Sequence, residues 1–361
     1  MTVESRGTAL RPRPLLIWAS ALFALATALA LVAASGAGAA REQTPDAQLL
    51  QTYQPVLVFH PSEPFRPTKV QSFVEDSELE RFVGTNPAQL PIDAFWTVVD
   101  PDPEPGELPG PAPGALHRLD QVGCEADAPL AGRACYAAAW QEGSGGDAVY
   151  GRVVRAGSRI VLQYWLFYYD NPLLLPPTPF GTFWQSHEGD WEVVNVILDE
   201  AEAPLEAAYS QHCSGQRRAW AGVAKLPAGS THPVAYVALG SHANFFSPGA
   251  GPLGAVPINP ACIPPGVPPL PFIVDQVLDG SSAGAVVGPP GSGVGAATIH
   301  TIEGHVWATF GGRWGESEYF FTPIAIPPVP ANTAVPVGLA PASPPHQANW
   351  NPATVLAWPM G

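Results

Sequence analysis

The sequence predicts an all-β, loop-rich protein built as a sandwich or barrel of short strands, and three observations carry that prediction. The 361 residues include 44 Pro and 36 Gly. Both types penalise helix interiors, which excludes a long-helix or coiled-coil protein. The same chain holds 11 Trp, 15 Phe and 9 Tyr within a 46% hydrophobic composition, enough apolar surface to offset ordering entropy and to exclude a wholly disordered chain. Finally, short β-branched and aromatic runs alternate with Pro/Gly turn chemistry, the spacing of an all-β sandwich or barrel.

Residues 1–40 read as an export segment. Arg6, Arg11 and Arg13 precede an uncharged apolar run, Leu15 to Ala34, and Ala37-Gly38-Ala39 fits an A-x-A cleavage site. The run is longer than an ordinary signal core and long enough to span a bilayer. It is a signal peptide or a signal anchor. Either way residues 41–361 face outside: secreted if the segment is cleaved, or at the cell surface with membrane contact through residues 15–34 if it is kept as an anchor.

Residues 41–361 are expected to form one domain. Pro55 to Pro61 suggests a strand entering a turn, and Asp100 to Gly114, Pro-rich and acidic, an extended loop. Ile160 to Tyr169 carries the densest core signal, a strand buried on both faces. After a loop bearing Pro172, Pro176, Pro177 and Pro179, Trp191 to Leu198 follows as its partner. Ala207 to Cys213, Ala219 to Lys225 and Pro233 to Gly240 read as shorter strands. Residues 263–295 form a Pro/Gly-rich inserted loop, Val306 to Trp314 a returning strand, and the tail from Pro323 is irregular.

Charge and cysteine usage narrow the function classes. With 16 basic and 31 acidic residues the net charge is −15, which leaves no electrostatic footprint for nucleic acid and favours cation binding. Cys124, Cys135, Cys213 and Cys262 are an even set suited to disulfides in an oxidising compartment. Of the possible pairings, Cys124–Cys135 closes the shortest loop, leaving Cys213–Cys262. No C-x-x-C spacing supports a thiolate metal site.

The chemistry concentrates in His187-Glu188-Gly189-Asp190-Trp191-Glu192. On a strand, Asp190 and Glu192 share one face and Trp191 takes the other, anchoring in the core. Adjacent carboxylates repel unless protons or a cation lie between them. Carboxylates with one imidazole suit Mg²⁺, Ca²⁺ or Mn²⁺; a solvated strand edge, or acid/base catalysis by the pair, are the alternatives. Position 191 is Trp, so no H-E-x-x-H pair exists. Gly280 to Gly284 matches G-x-S-x-G without the strand-to-helix setting that motif needs. His212 and His242 lie near predicted strand ends. His242, in Gly240-Ser-His-Ala-Asn244, is the better ligand-binding candidate because small polar loops after apolar strands commonly carry sites.

Leu162-Gln-Tyr-Trp-Leu-Phe-Tyr-Tyr169, the hexapeptide at 187–192, Tyr209-Ser-Gln-His212, His232 to His242 and Gly312-Arg-Trp-Gly315 together resemble the vacuolar-protein-sorting-62-like family. More distantly, the hexapeptide is similar to the G-H-R-H-D-W-E motif of necrosis- and ethylene-inducing-peptide-like proteins, with Ser186 and Gly189 replacing the first Gly and second His. That resemblance implies a β-sandwich of jelly-roll type, here with Pro/Gly-rich insertions, holding a divalent cation and engaging sphingolipid head groups. It places the cation ligands on His187, Asp190 and Glu192, with Asp170 matching a further Asp. Glu188, His212 and His242 would face the bound ligand. The leading reading is an exported cation-binding sandwich that takes a glycan or lipid head group through the cation. A metal-assisted hydrolase using His242 or Glu188 as acid/base, and a structural cell-surface module, are the alternatives.

Overall fold

The computed structural model describes residues 44–84, 95–124, 134–143, 147–174, 184–211, 214–249, 284–292, 294–322 and 333–361. The export segment, His212, Cys213, Cys262 and most of the 263–295 insertion lie outside them. Among the described residues no helix is long and apolar enough to cross a membrane.

The chain is mostly β, with sheets packed as a sandwich. A helix, α1 (Pro45–Thr52), precedes β1 (Val56–Phe59). After α2 (Val70–Glu75) come β2 (Ser77–Phe82), β3 (Trp96–Asp100) and β4 (His117–Gln121). Following α3 (Ala134–Gly143), five strands run consecutively: β5 (Ala148–Ala156), β6 (Arg159–Leu174), β7 (Trp184–Leu198), β8 (Pro204–Gln211) and β9 (Ser214–Ala219). The remainder is β10 (Val234–Val237), β11 (Asn244–Phe245), β12 (Val286–Gly288), β13 (Gly295–Ala296), β14 (Thr298–Thr301), β15 (Glu318–Thr322), β16 (Thr333–Gly338) and α4 (Pro352–Leu356).

Strands β5 to β9 form an antiparallel meander, closed at one edge by β14 in the order β14-β5-β6-β7-β8-β9. Two long strands, β6 and β7, form its spine, in a register that sets Phe167 opposite Trp191, Tyr168 opposite Asp190 and Leu166 opposite Glu192. The period-2 alternation of a strand then sorts these side chains onto two faces. The face with Tyr168, Asp190 and Tyr209 meets a five-stranded sheet, β11-β10-β1-β12-β13. There Phe59 packs edge-on to Tyr168 at 6.5 Å between centroids, Phe246 stacks on Tyr209 at 3.9 Å, and the Tyr209 hydroxyl donates to Val234 O.

The other face is a cluster of aromatic rings. Trp191 lies 4.9 Å from Phe167, 5.6 Å from Trp314 and 5.9 Å from Trp307, while Phe73 of α2 reaches Phe167 at 5.0 Å. Ile160 to Tyr169 is buried throughout, as a strand covered on both faces must be. A three-stranded sheet, β3-β2-β4, and a paired ribbon, β15-β16, account for the other strands among the described residues.

Several expectations need correction. Pro172 belongs to β6, which runs to Leu174, and β7 begins at Trp184 rather than Trp191. Within the expected insertion, Val286–Gly288 is a strand paired with β1. Ala219 to Lys225 is not a strand: β9 ends at Ala219, and the chain leaves through a 3₁₀ turn at Trp220–Gly222. Trp220 packs against Tyr53 there, and the Lys225 ammonium donates to the carbonyls of Trp220 and Val223, satisfying the turn locally. Val306 to Trp314 does not return as a strand either. It makes a 3₁₀ turn at Val306–Thr309 and then a strap whose Gly311 and Gly312 backbones press on Pro111 and the His117 carbonyl. Trp307 and Trp314 were strand-like in composition, yet they serve as plugs for the aromatic face. Finally, the tail is not wholly irregular, since β16 pairs with β15 and α4 follows, capped by the Asn351 side chain on Ala353 N. The Cys124–Cys135 disulfide is present, with its Cα atoms 5.9 Å apart.

Candidate functional site

Gly189 divides the hexapeptide between two environments. It sits at φ +56, the left-handed region that favours glycine. A Cβ there would lie 2.0 Å from Trp314 O, so the strap crosses directly over it. Glu188 N donates to Glu316 O at 3.0 Å, tying strap to strand. Consequently Glu188 and Asp190, two residues apart on one strand, have different surroundings.

Asp190 faces the five-stranded sheet. Its Oδ2 accepts from Asn171 Nδ2 at 3.2 Å and lies 3.0 Å from His242 Nδ1. The imidazole of His242, wholly buried, stacks on Tyr168 with centroids 3.8 Å apart and ring planes 1° from parallel. Its Nε2 is 3.4 Å from Glu63 Oε1, an ion-pair contact rather than an aligned hydrogen bond. Burial alone would lower the His242 pKa, but the carboxylates of Glu63 and Asp190 outweigh it and push it up to about 9. Next along β7, the Glu192 carboxylate accepts from Ser210 Oγ, which also accepts from Val193 N. Two buried oxygens beside this group, Tyr168 Oη and Asn171 Oδ1, have no hydrogen-bond partner among the described residues. Burial, then the charges of Asp190, Glu192 and Glu63, hold the Tyr168 hydroxyl well above its usual pKa. Among the described residues, the carboxylates of Asp190, Glu192 and Glu63 surround one imidazole beside these two oxygens. Such a donor set fits a hard divalent cation.

Glu188 enters a second acidic group on the other side of the strand. Its carboxylate accepts from Tyr136 Oη at 2.7 Å, Glu316 N at 2.9 Å and Gln121 N at 3.1 Å. Arg118 donates to Glu80 and Asp120 at 2.6 Å and to Glu316 at 3.3 Å. One oxygen each from Asp120, Glu188 and Glu316 lies within 4.8 Å of the others, and these three could hold a metal ion. Among the described residues four carboxylates, Glu80, Asp120, Glu188 and Glu316, share the Arg118 guanidinium, so a proton is the competing occupant. Burial and the charge of Glu188 outweigh Arg118 and push the Asp120 pKa up to about 9, and burial raises Glu188 as well.

That shift has a sign. A carboxyl whose folded pKa lies above its unfolded value near 4 binds its proton more tightly when folded. Its stabilising contribution is complete below about pH 4 and is lost as pH rises towards 9. Asp120→Asn, which mimics the protonated state, is therefore expected to gain Tm relative to wild type between pH 5 and pH 8. Melting curves across that range check this; a constant difference between the two proteins contradicts it.

The expected ligands fall as follows. Asp190 and Glu192 do lie on the face opposite Trp191. Asp170 is fully buried and pairs across from Glu188. His187 pairs across from Asn171, and its Nδ1 lies 2.7 Å from Gly189 O and 3.2 Å from Glu188 O, capping the glycine turn. Among the described residues, His187, Asp170, Asp190 and Glu192 do not bring three ligand atoms within 4.8 Å; Asp120, Glu188 and Glu316 do. His242 joins Asp190. Glu63, Tyr168, Asn171 and Ser210 were not anticipated around them, nor were Asp120, Glu316 and Arg118 around Glu188. Only a long-range pairing map would have found them.

No family model matches the chain, so the vacuolar-protein-sorting-62-like resemblance stands on its quoted residues alone, and no curated protein matches either. Similar solved structures include necrosis- and ethylene-inducing proteins. A mutant form of NLPPya is 15% identical, with a TM-score of 0.29 over 56% of this chain and 66% of that one. Non-toxic HaNLP3 is 13% identical, with a TM-score of 0.30 over 70% and 74%. Necrosis and Ethylene inducing Protein 2, from the causal agent of cocoa's Witches Broom disease, is 12% identical, with a TM-score of 0.28 over 72% and 74%. The functional reading rests on this chain's own residues.

Proposed function

We propose that this is an exported β-sandwich protein that binds a divalent cation, Ca²⁺, Mg²⁺ or Mn²⁺, on the Asp190–Glu192 face and through it a polar glycan or lipid head group. The observation that carries the reading is the buried Asp190–Glu192–Glu63 charge beside the orphaned Tyr168 Oη and Asn171 Oδ1. Asp190 and Glu192 would hold the cation, and His187 and Asp170 are the further ligands proposed from the sequence. The bound cation would supply a fixed positive charge for an anionic or hydroxyl-rich group. The Cys124–Cys135 disulfide supports an oxidising, extracytoplasmic setting.

Calorimetric titration of chelator-treated protein tests it. Wild type is expected to bind one of the three cations, and saturation at a hundred times Kd to add about 2.7 kcal/mol of stability. Asp190→Asn should abolish both effects, and vesicle or glycan capture with them. Absence of cation binding by wild type contradicts the proposal. The 4.8 Å grouping of Asp120, Glu188 and Glu316 favours a second reading: Glu188→Gln abolishing binding while Asp190→Asn spares it would move the cation there.

A further inference from the structure

We infer that Glu63 is a positioning residue, which acts through His242 to aim Asp190 at the ligand. The inference deepens the cation-binding reading and rests on it. Glu63 lies in the turn after β1, far in sequence from the hexapeptide, and its side chain is fully buried. Oε2 accepts from Gly240 N at 2.7 Å, and Oε1 accepts from Phe65 N at 2.9 Å and faces His242 Nε2 at 3.4 Å. One carboxylate thus grips both its own turn and the 240–242 loop.

The loop needs that grip. His242 sits at φ +53, a left-handed conformation that is uncommon for a residue with a Cβ and is favoured when its neighbours hold it. Tyr168 fixes the plane of the ring by stacking, and Phe65 closes its edge at 6.4 Å between centroids. Glu63 then fixes which edge of the ring points where: Nε2 towards itself, Nδ1 towards Asp190 Oδ2. With Asn171 Nδ2 as its second donor, Oδ2 is occupied. Asp190 Oδ1 makes no hydrogen bond among the described residues, and the side chain keeps 8% exposure. Carboxylate, imidazole and carboxylate therefore form a relay that leaves one Asp190 oxygen free and immobile, as outer partners orient ligating side chains at metal sites.

The test measures cation affinity, with Mn²⁺ or Ca²⁺ as the probe, for wild type, Glu63→Gln, His242→Asn and the double variant. Each single variant should bind about 10–100-fold more weakly, and the double no more weakly than the worse single, because both act through one contact. Unchanged affinity in Glu63→Gln, or losses that multiply in the double, overturns the inference. A structural readout in wild type covers the case in which a variant does not fold. The ¹⁵N spectrum of the His242 ring should show a slowly exchanging proton on Nδ1, the nitrogen that faces Asp190 Oδ2; an Nδ1 without one overturns the relay. If wild type binds no cation, the ligand reading fails and the ring spectrum still decides the Glu63–His242–Asp190 arrangement.

Discussion

Gly189→Ala is expected to destabilise the protein by more than about 4 kcal/mol, beyond what most single substitutions cost. Two terms add. The residue sits at φ +56, where a Cβ costs roughly 1–2 kcal/mol. The new methyl would also lie 2.0 Å from the Trp314 carbonyl, a backbone atom that cannot rotate away. Trp314 N is held by Pro341 O, Arg313 N by His117 O, and the Trp314 indole by Ser343 Oγ, so the strap cannot lift without breaking several bonds. Gly123→Ala is the control. It shares a positive φ of 78 but has nothing within 4 Å, so it should show the conformational term alone. Denaturant midpoints separate the two, and equal losses would show that the strap does not press on Gly189.

The strap also explains which parts of the site the sequence made legible. Alternation along β7 was enough to put Asp190 and Glu192 opposite Trp191, because a strand fixes that relation locally. Apolar density was enough to find β6, since a strand covered on both faces leaves a continuous run. Glu188, expected from the sequence to face the ligand with His242, turns instead to the other group because Gly189 is the point where another segment crosses. Nothing local in Trp314-Gly-Glu316 announces that its backbone seats on residues more than a hundred positions earlier. The same holds for Glu63 and His242, whose pairing comes from β1 lying parallel to β10 with Val56 opposite Val234. Parallel neighbours are set by long connections, and their register leaves no signature in either segment. The short helices escaped for a related reason. Val70, Phe73 and Val74 form too brief a pattern to separate from a strand until Phe73 is seen against Phe167 and Trp314.

Arg118→Met should cost about 3–5 kcal/mol at neutral pH, the range expected when one partner of a buried charge group is removed. Arg118 is buried, 5% exposed, and its guanidinium joins Glu80, Asp120 and Glu316 and lies over the Trp96 ring at 4.7 Å. Methionine replaces much of the stem's packing, so the loss reports on charge more than on volume. Without Arg118, the donors around Glu188 are the neutral Tyr136 Oη, Glu316 N and Gln121 N, and repulsion among Glu80, Asp120, Glu188 and Glu316 is relieved by protons or a cation. The penalty should therefore shrink as pH falls and the carboxylates take up protons, which makes Arg118→Met relatively more stable at pH 5 than at pH 8. Adding Asp120→Asn should recover part of the loss, with a coupling of about 0.5–3 kcal/mol for residues in one network. Strict additivity in that cycle, or a penalty independent of pH, would mean that Arg118 serves packing alone. In that case the group around Glu188 could not be the charge-balanced junction that ties the strap, the three-stranded sheet and β7 together.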